Sequence, residues 1–187
     1  MKVANSGEIA RFSSLEKPAE ITLERPMSNI LDPRAFRSAL GTFATGVTVI
    51  TTVNAAGEMI GNTASSFNSV SLEPPLVLWS LARKALSFDS YMDAEYFAVN
   101  VLREGQDDLS GRFSKSAGDK WRGIDYETWD TGCPVFPSAL AIFECRKLFT
   151  YDGGDHAIFV GEVLKFDHDP RGKPLVFWRG GYHRTVS

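Results

Sequence analysis

Asn62, Thr63, Ser65 and Ser66 stand in one short run, GNTASSFNSVSLEPP over residues 61–75, where seven of fifteen residues are Asn, Thr or Ser. Hydroxyl, amide and backbone groups at this density can hold a polyol chain, a phosphate or a heteroaromatic edge without adding net charge. The same composition also describes a solvated strand edge, and polar residues this dense usually mark a loop. Against a plain loop stand Phe67, Val70 and Leu72, apolar residues spaced along the run.

Two further groupings could carry chemistry. In SGRFS, residues 110–114, a cation meets an aromatic at a helix end. Arg112 there could grip a phosphate with two parallel N–H donors, and Phe113 could cover a flat ring. A surface arginine beside a core phenylalanine is the other reading of the same letters. Arg83 and Lys84 precede Ser87, at the expected start of a helix, where an anion is favoured. In GGDH, residues 153–156, a tight turn places His156 at the start of the apolar run AIFVGEV. Its neighbour Asp155 could fix the imidazole tautomer and orientation. A purely structural histidine would fit the same place.

Several chemistries lack their residues. There is no GxGxxG for a Rossmann dinucleotide site, no GxxxxGK[ST] phosphate loop and no GxSxG nucleophile elbow. His156, His168 and His183 are spread without metal-ligand spacing, so no metal site is expected.

These residues need elements to position them. Asp32 and Pro33 suit a helix start, and Ala35, Phe36, Ala39 and Leu40 fall on one face before Gly41 or Gly46 closes it. From Val47 the pattern turns to strands: 47–53, then a glycine turn at 54–58, the polar run, a Glu-Pro-Pro turn and 76–81. Short helices are expected near 86–93 and 106–114, with strands at 96–102, 139–151, 156–167 and 174–178. Residues 115–138 read as a long loop carrying Trp121 and Trp129. Many strands on short turns, with few and short helices, indicate a mainly β, antiparallel barrel rather than a doubly wound sheet.

The chain of 187 residues suits one sizeable domain, and 43% hydrophobic residues can fill its core. Residues 1–29, polar and mixed in charge, read as a mobile N-terminal arm ahead of a domain over 30–187. A net charge of −3 argues against nucleic acid as partner. No apolar run nears the roughly 18 residues of a membrane span, and the start of the chain lacks a signal-peptide core. Cys133 and Cys145 are not in a CxxC pair and read as small buried hydrophobes in a reducing compartment. A cytoplasmic location is the expectation.

Seven segments in order resemble the short-chain flavin reductase family, with its FMN-binding split β-barrel. They are FATGVTVITT (43–52), NTASSFNSVSLEPPLVL (62–78), YFAVNVL (96–102), LSGRF (109–113), ALAIFEC (139–145), GGDHAIFVGEV (153–163) and PLVFWRGGY (174–182). The similarity runs over about residues 30–185, and is greatest to reductase components of two-component flavin-dependent aromatic monooxygenases.

The resemblance implies a Greek-key split barrel and a homodimer with FMN or FAD in a groove near the subunit interface. It implies hydride transfer from NADH or NADPH to the flavin, and reduced flavin that diffuses to a separate oxygenase. By position, it implies that Asn62, Thr63, Ser65 and Ser66 contact the flavin ring edge, ribityl chain and phosphate. Phe67, Val70 and Leu72 would anchor that strand. Ser80 and Ala82 match the next flavin-contacting strand end, Ser87 a phosphate-side position, and Arg112 and Phe113 the phosphate or adenine side. His156 and Tyr182 match positions facing the nicotinamide, with His156 orienting the ring in the catalytic step. Many relatives carry Asn-Lys where this chain has Ala82-Arg83, which weakens the phosphate assignment there. No basic cluster for a 2′-phosphate is evident, which leans the choice to NADH. The alternative is a flavin-binding split barrel without catalysis.

Overall fold

Thr48–Val53 shows best how the sequence reads and misreads. Its residues alternate in type, yet Thr48, Val49, Ile50, Thr51 and Thr52 are all buried. The strand is central and covered on both faces, one core cluster taking Val49 and another Ile50. Its hydroxyls are satisfied locally: Thr48 donates to the Ala64 carbonyl at 2.8 Å and Thr52 to the Tyr96 carbonyl at 2.7 Å. A buried threonine with its hydrogen bond made is a tolerable core residue.

The computed structural model describes residues 32–116 and 118–185, so the arm expected over 1–29 lies outside the described residues. In chain order the elements are α1 (Pro33–Leu40), β1 (Thr45–Gly46), β2 (Thr48–Val53), β3 (Met59–Ala64), β4 (Asn68–Leu72), β5 (Pro75–Ala82) and α2 (Phe88–Asp93). Then follow β6 (Tyr96–Val101), α3 (Asp107–Phe113), β7 (Glu127–Thr128), β8 (Pro134–Val135), β9 (Ala141–Gly153), β10 (His156–His168), β11 (Val176–Trp178) and β12 (Gly181–His183). Seven strands form an antiparallel sheet in the order β3-β2-β6-β9-β10-β5-β4. Strands β1, β11 and β12 form a second sheet, and β7 pairs with β8. No helix among the described residues is long and apolar enough to cross a membrane.

Aromatic packing fills one core cluster. Trp79 stacks on Phe159 at 4.7 Å between centroids, and Tyr91 meets Trp79 edge-on at 4.9 Å. Each such pair contributes about 1 kcal/mol beyond the area it buries. The other cluster takes Val47, Leu102, Phe113, Phe136 and Leu175. Cys133, Val135 and Phe136 are buried too, so the expected loop over 115–138 is in part core, and contains β7 and β8.

The apolar stripe of α1 is largely exposed, Phe36 at 50% and Leu40 at 59%. Periodicity tells that a stripe exists, and not what covers it. Of Phe67, Val70 and Leu72, expected to anchor the polar run, only Phe67 packs inward, stacking on Phe143 at 5.7 Å, while Val70 and Leu72 are exposed. The run is also two strands rather than one, β3 and β4, separated by the corner Ser65–Phe67.

That corner places the site. Strands β3 and β4 are the two edges of the seven-stranded sheet. The Ser66 hydroxyl accepts from the Ser80 backbone N–H at 2.9 Å and donates to the Ser80 carbonyl at 3.0 Å. One side chain thus imitates a ladder pair and ties the end of β3 to β5. On the other side of β3, side chains cap the open edge. Lys120 Nζ donates to the Gly61 carbonyl at 3.1 Å and Trp121 Nε1 to the Met59 carbonyl at 2.8 Å. Gly61 is required here: a Cβ would lie 2.5 Å from the Phe113 ring.

Candidate flavin site

The outward residues of β3 and its corner open onto two clefts that share Asn62. The larger, about 490 Å³, is lined by Ile60, Asn62, Leu86, Ser87 and Lys120 among others. The smaller, about 360 Å³, is lined by Asn62, Thr63, Ser65, Ser110, Phe177 and Tyr182 among others. Both volumes lie within the range of small-molecule sites.

Hydrogen bonds within the protein decide which groups are left for a ligand. The Ser87 hydroxyl donates to Asn62 Oδ1 at 2.6 Å. This fixes the Asn62 amide and leaves its NH₂ group without a partner among the described residues. Thr63 Oγ1 donates to the Ser110 carbonyl at 2.7 Å, so its proton is spent and only its lone pairs remain. Ser66 is engaged twice by Ser80. Ser65 is exposed and has no hydrogen-bond partner among the described residues. Of the four polar residues, Asn62 and Ser65 therefore hold unspent donors.

The remaining predicted residues separate. Ser87 lies on the larger cleft, at the start of α2 without a side-chain cap, but its hydroxyl is committed to Asn62. Arg112 turns away from both clefts and donates to the Arg122 carbonyl at 2.6 Å. Phe113 borders the smaller cleft but has no exposed surface. Its ring packs on Phe136 at 5.5 Å and Trp121 at 5.0 Å, so the core reading of this residue holds and the ring-covering one does not. Helix geometry explains the split, because successive residues point about 100° apart. Arg83 is likewise drawn off: its guanidinium bonds Asp152 at 2.7 Å and the Gly154 carbonyl at 3.1 Å. The Arg83 hydrogen bond holds the exposed Asp152 carboxyl below its ordinary range.

His156 lines neither cleft. It opens β10 directly opposite Ala82, and Ile158 stands opposite Ser80. On β5 the residues Val77, Trp79 and Leu81 are buried, so Ser80 and Ala82 occupy the outward face with His156. Gly154, at φ +78°, makes the turn before it. His156 Nδ1 lies 2.7 Å from Asp155 Oδ1, and that contact lowers the Asp155 carboxyl from its ordinary value. Asp155 therefore holds the ring as the sequence suggested, leaving Nε2 pointing away from the carboxylate.

Sequence reasoning missed Ser110 and Lys120. Ser110 is wholly buried, yet its Oγ is 2.8 Å from the Tyr182 hydroxyl in the smaller cleft. It lies two residues before Arg112 in SGRFS, and its residue type carries no signal that sets it apart from the other serines. Lys120 lines the larger cleft, and burial lowers its pKa from the ordinary lysine value. No periodic signal marks the segment it lies in. Among the described residues no His, Cys, Asp and Glu side chains gather as a metal site.

The chain is mainly antiparallel β, and its corner after β3 carries the unspent donors of Asn62 and Ser65 beside two clefts that share Asn62. Residues 40–185 match the flavin reductase like domain, and the chain belongs to that family. It is 48% identical over 151 residues to the FMN reductase (NADH) SmoA of Agrobacterium fabrum, covering 81% of this chain and 85% of SmoA. It is 42% identical over 158 residues to HsaB of Mycobacterium tuberculosis, reductase subunit of a flavin-dependent monooxygenase, covering 83% and 84%. The solved Streptomyces globisporus NADH:FAD oxidoreductase SgcE6, in complex with NAD and FAD fragments, superposes with a TM-score of 0.79 at 35% identity, covering 85% of this chain and 98% of that one. The chain spans about half the length of a further match, a Rhizobium meliloti protein named "Probable flavin reductase" (44% identical, 83% of this chain and 50% of that protein).

Proposed function

We propose that the chain is an NAD(P)H:flavin oxidoreductase that reduces FMN or FAD with NADH and supplies reduced flavin to a separate oxygenase. The observation that carries this reading is family membership over residues 40–185, with the unspent donors of Asn62, shared by both clefts, and of Ser65 in the smaller one. The donors of Asn62 and Ser65 fit the cofactor, since neutral donors suit ring carbonyls and ribityl hydroxyls.

When both are bound, nicotinamide supplies the hydride and the flavin ring accepts it; the chain binds, orients and excludes water. Asn62, its amide set by Ser87, donates to the ring edge or the polyol. Ser65 adds a second donor. Tyr182, edge-on to Phe177 at 5.6 Å, walls the smaller cleft, where a stacked nicotinamide would be held close. His156 stands outside both clefts, on the outward face with Ser80 and Ala82, and its role toward the nicotinamide is the one the family resemblance implies.

NADH is favoured because Lys115 and Lys120 on the larger cleft are matched by Glu58 and Asp119, leaving no cationic surplus for a 2′-phosphate. Phe36, Leu40, Phe43, Leu72 and Phe166 are large apolar side chains left exposed, which supports a homodimer that would cover them. Two free, buried cysteines suit a cytoplasmic protein. Transfer of reduced flavin to the oxygenase is by diffusion.

The test is oxidation of NADH and of NADPH, followed by absorbance, with and without FMN, FAD or riboflavin. Rapid flavin-dependent oxidation is expected, with NADH the better donor. Flavin binding with no nicotinamide consumed would replace this reading by a non-catalytic flavin-binding barrel.

A further inference from the structure

We propose that Ser110 is a positioning residue for Tyr182, fixing the phenol over the smaller cleft and linking it to Thr63 on the flavin cradle. The inference rests on the reductase reading and adds to it a residue from α3.

Three observations converge on Ser110. Its side chain is wholly buried, yet its Oγ reaches the 42% exposed Tyr182, whose hydroxyl lies 2.8 Å away. Its carbonyl accepts from Thr63 Oγ1 at 2.7 Å. All three residues line the same cleft of about 360 Å³. One residue thus joins β3, α3 and β12, elements far apart in sequence.

The chemistry follows from what each hydroxyl can do. A phenol hydroxyl has one proton to donate and lone pairs to accept with. If Ser110 donates to Tyr182, the phenol proton is free for a ligand in the cleft. If Tyr182 donates, its lone pairs face the ligand. Either way the ring is held at two points, by Ser110 at its hydroxyl and by Phe177 at its edge. A tyrosine on a short terminal strand would otherwise sample several rotamers, and ordering it in advance removes that cost from ligand binding.

The two contacts of Ser110 can be separated. Ser110→Ala removes the bond to Tyr182 but keeps the backbone carbonyl that receives Thr63. Flavin affinity should therefore stay within about twofold, while kcat/KM for NADH falls about five- to tenfold, the worth of one hydrogen bond. Tyr182→Phe should give a similar loss. In the double variant the losses should not multiply, because each removes the same bond. Ser110→Cys, a weaker donor of similar shape, should fall between wild type and Ser110→Ala, and keeps the test open if the alanine variant folds poorly.

A readout free of turnover is the ¹⁹F resonance of 3-fluorotyrosine at position 182, assigned by its loss in Tyr182→Phe. It should shift and change width in Ser110→Ala without any ligand. An unmoved resonance, or losses that multiply in the double variant, would overturn the proposal. If wild type consumes no NADH yet the resonance moves, the positioning stands and the reductase reading fails instead.

Discussion

The Ser87 hydroxyl reaches across from the start of α2 to donate to Asn62 Oδ1 at 2.6 Å, joining residues 25 apart in sequence. The bond reverses the role that position alone suggests for Ser87. Its proton faces an amide oxygen rather than an open anion site, and its effect on a ligand passes through Asn62.

Asn62→Ala should therefore weaken flavin binding more than Ser87→Ala. Losing both NH₂ donors is worth about 2 kcal/mol, or roughly thirtyfold in Kd. Losing only the group that orients them should cost about two- to fivefold. Titration of flavin fluorescence measures both. A larger loss for Ser87→Ala would place Ser87 directly on the cofactor.

The thiols give a second test. Burial pushes Cys133 and Cys145 above the usual thiol range, and both are nearly inaccessible. A thiolate is the reactive form, so at neutral pH neither should react with a colorimetric disulfide reagent in the native protein. Both should react at once in denaturant. Raising the pH within the range where the fold persists should change little, since a raised pKa keeps these thiols protonated there.

His156→Ala addresses the hairpin tip. Because His156 lines neither cleft, flavin should bind as in wild type, while the rate of flavin reduction by NADH falls by about tenfold or more. Asp155→Asn, which weakens the anchor at Nδ1 but keeps the imidazole, should show a smaller loss. Stopped-flow absorbance of the flavin reads both rates, and an unchanged rate for His156→Ala would remove its assigned role.

How much of this was legible depended on range. The strands and short helices follow from local periodicity and turn residues, and the barrel follows from their number and spacing. The polar run was legible as a candidate site because four donors fall within five residues, 62–66. What escaped were relations across the sheet. Ser66 looks like Ser65 in the sequence, and only the approach of Ser80 commits one and frees the other. Arg112 has the right chemistry for a phosphate, but its helix end faces the 119–122 loop. Thr63 and Tyr182 are separated by 119 positions (182 minus 63), so nothing local could reveal that Ser110 joins them.

The Ser65 and Ser66 pair makes that difference measurable. Ser66→Ala would strip the Ser80 N–H and carbonyl of their partner at the corner between β3 and β5. Leaving such groups half-satisfied costs about 1–3 kcal/mol, so the urea midpoint should drop while the unfolding slope stays the same. Flavin affinity would fall as well, because the corner that aims Asn62 and Ser65 would loosen. Ser65→Ala removes an exposed hydroxyl with no protein partner, and stability should change by less than about 0.5 kcal/mol. Its loss should appear only as weaker flavin binding, about three- to tenfold. Equal effects of both variants on the urea midpoint would mean that Ser66 does not tie β3 to β5, and that the corner is held by packing of Phe67 on Phe143 alone.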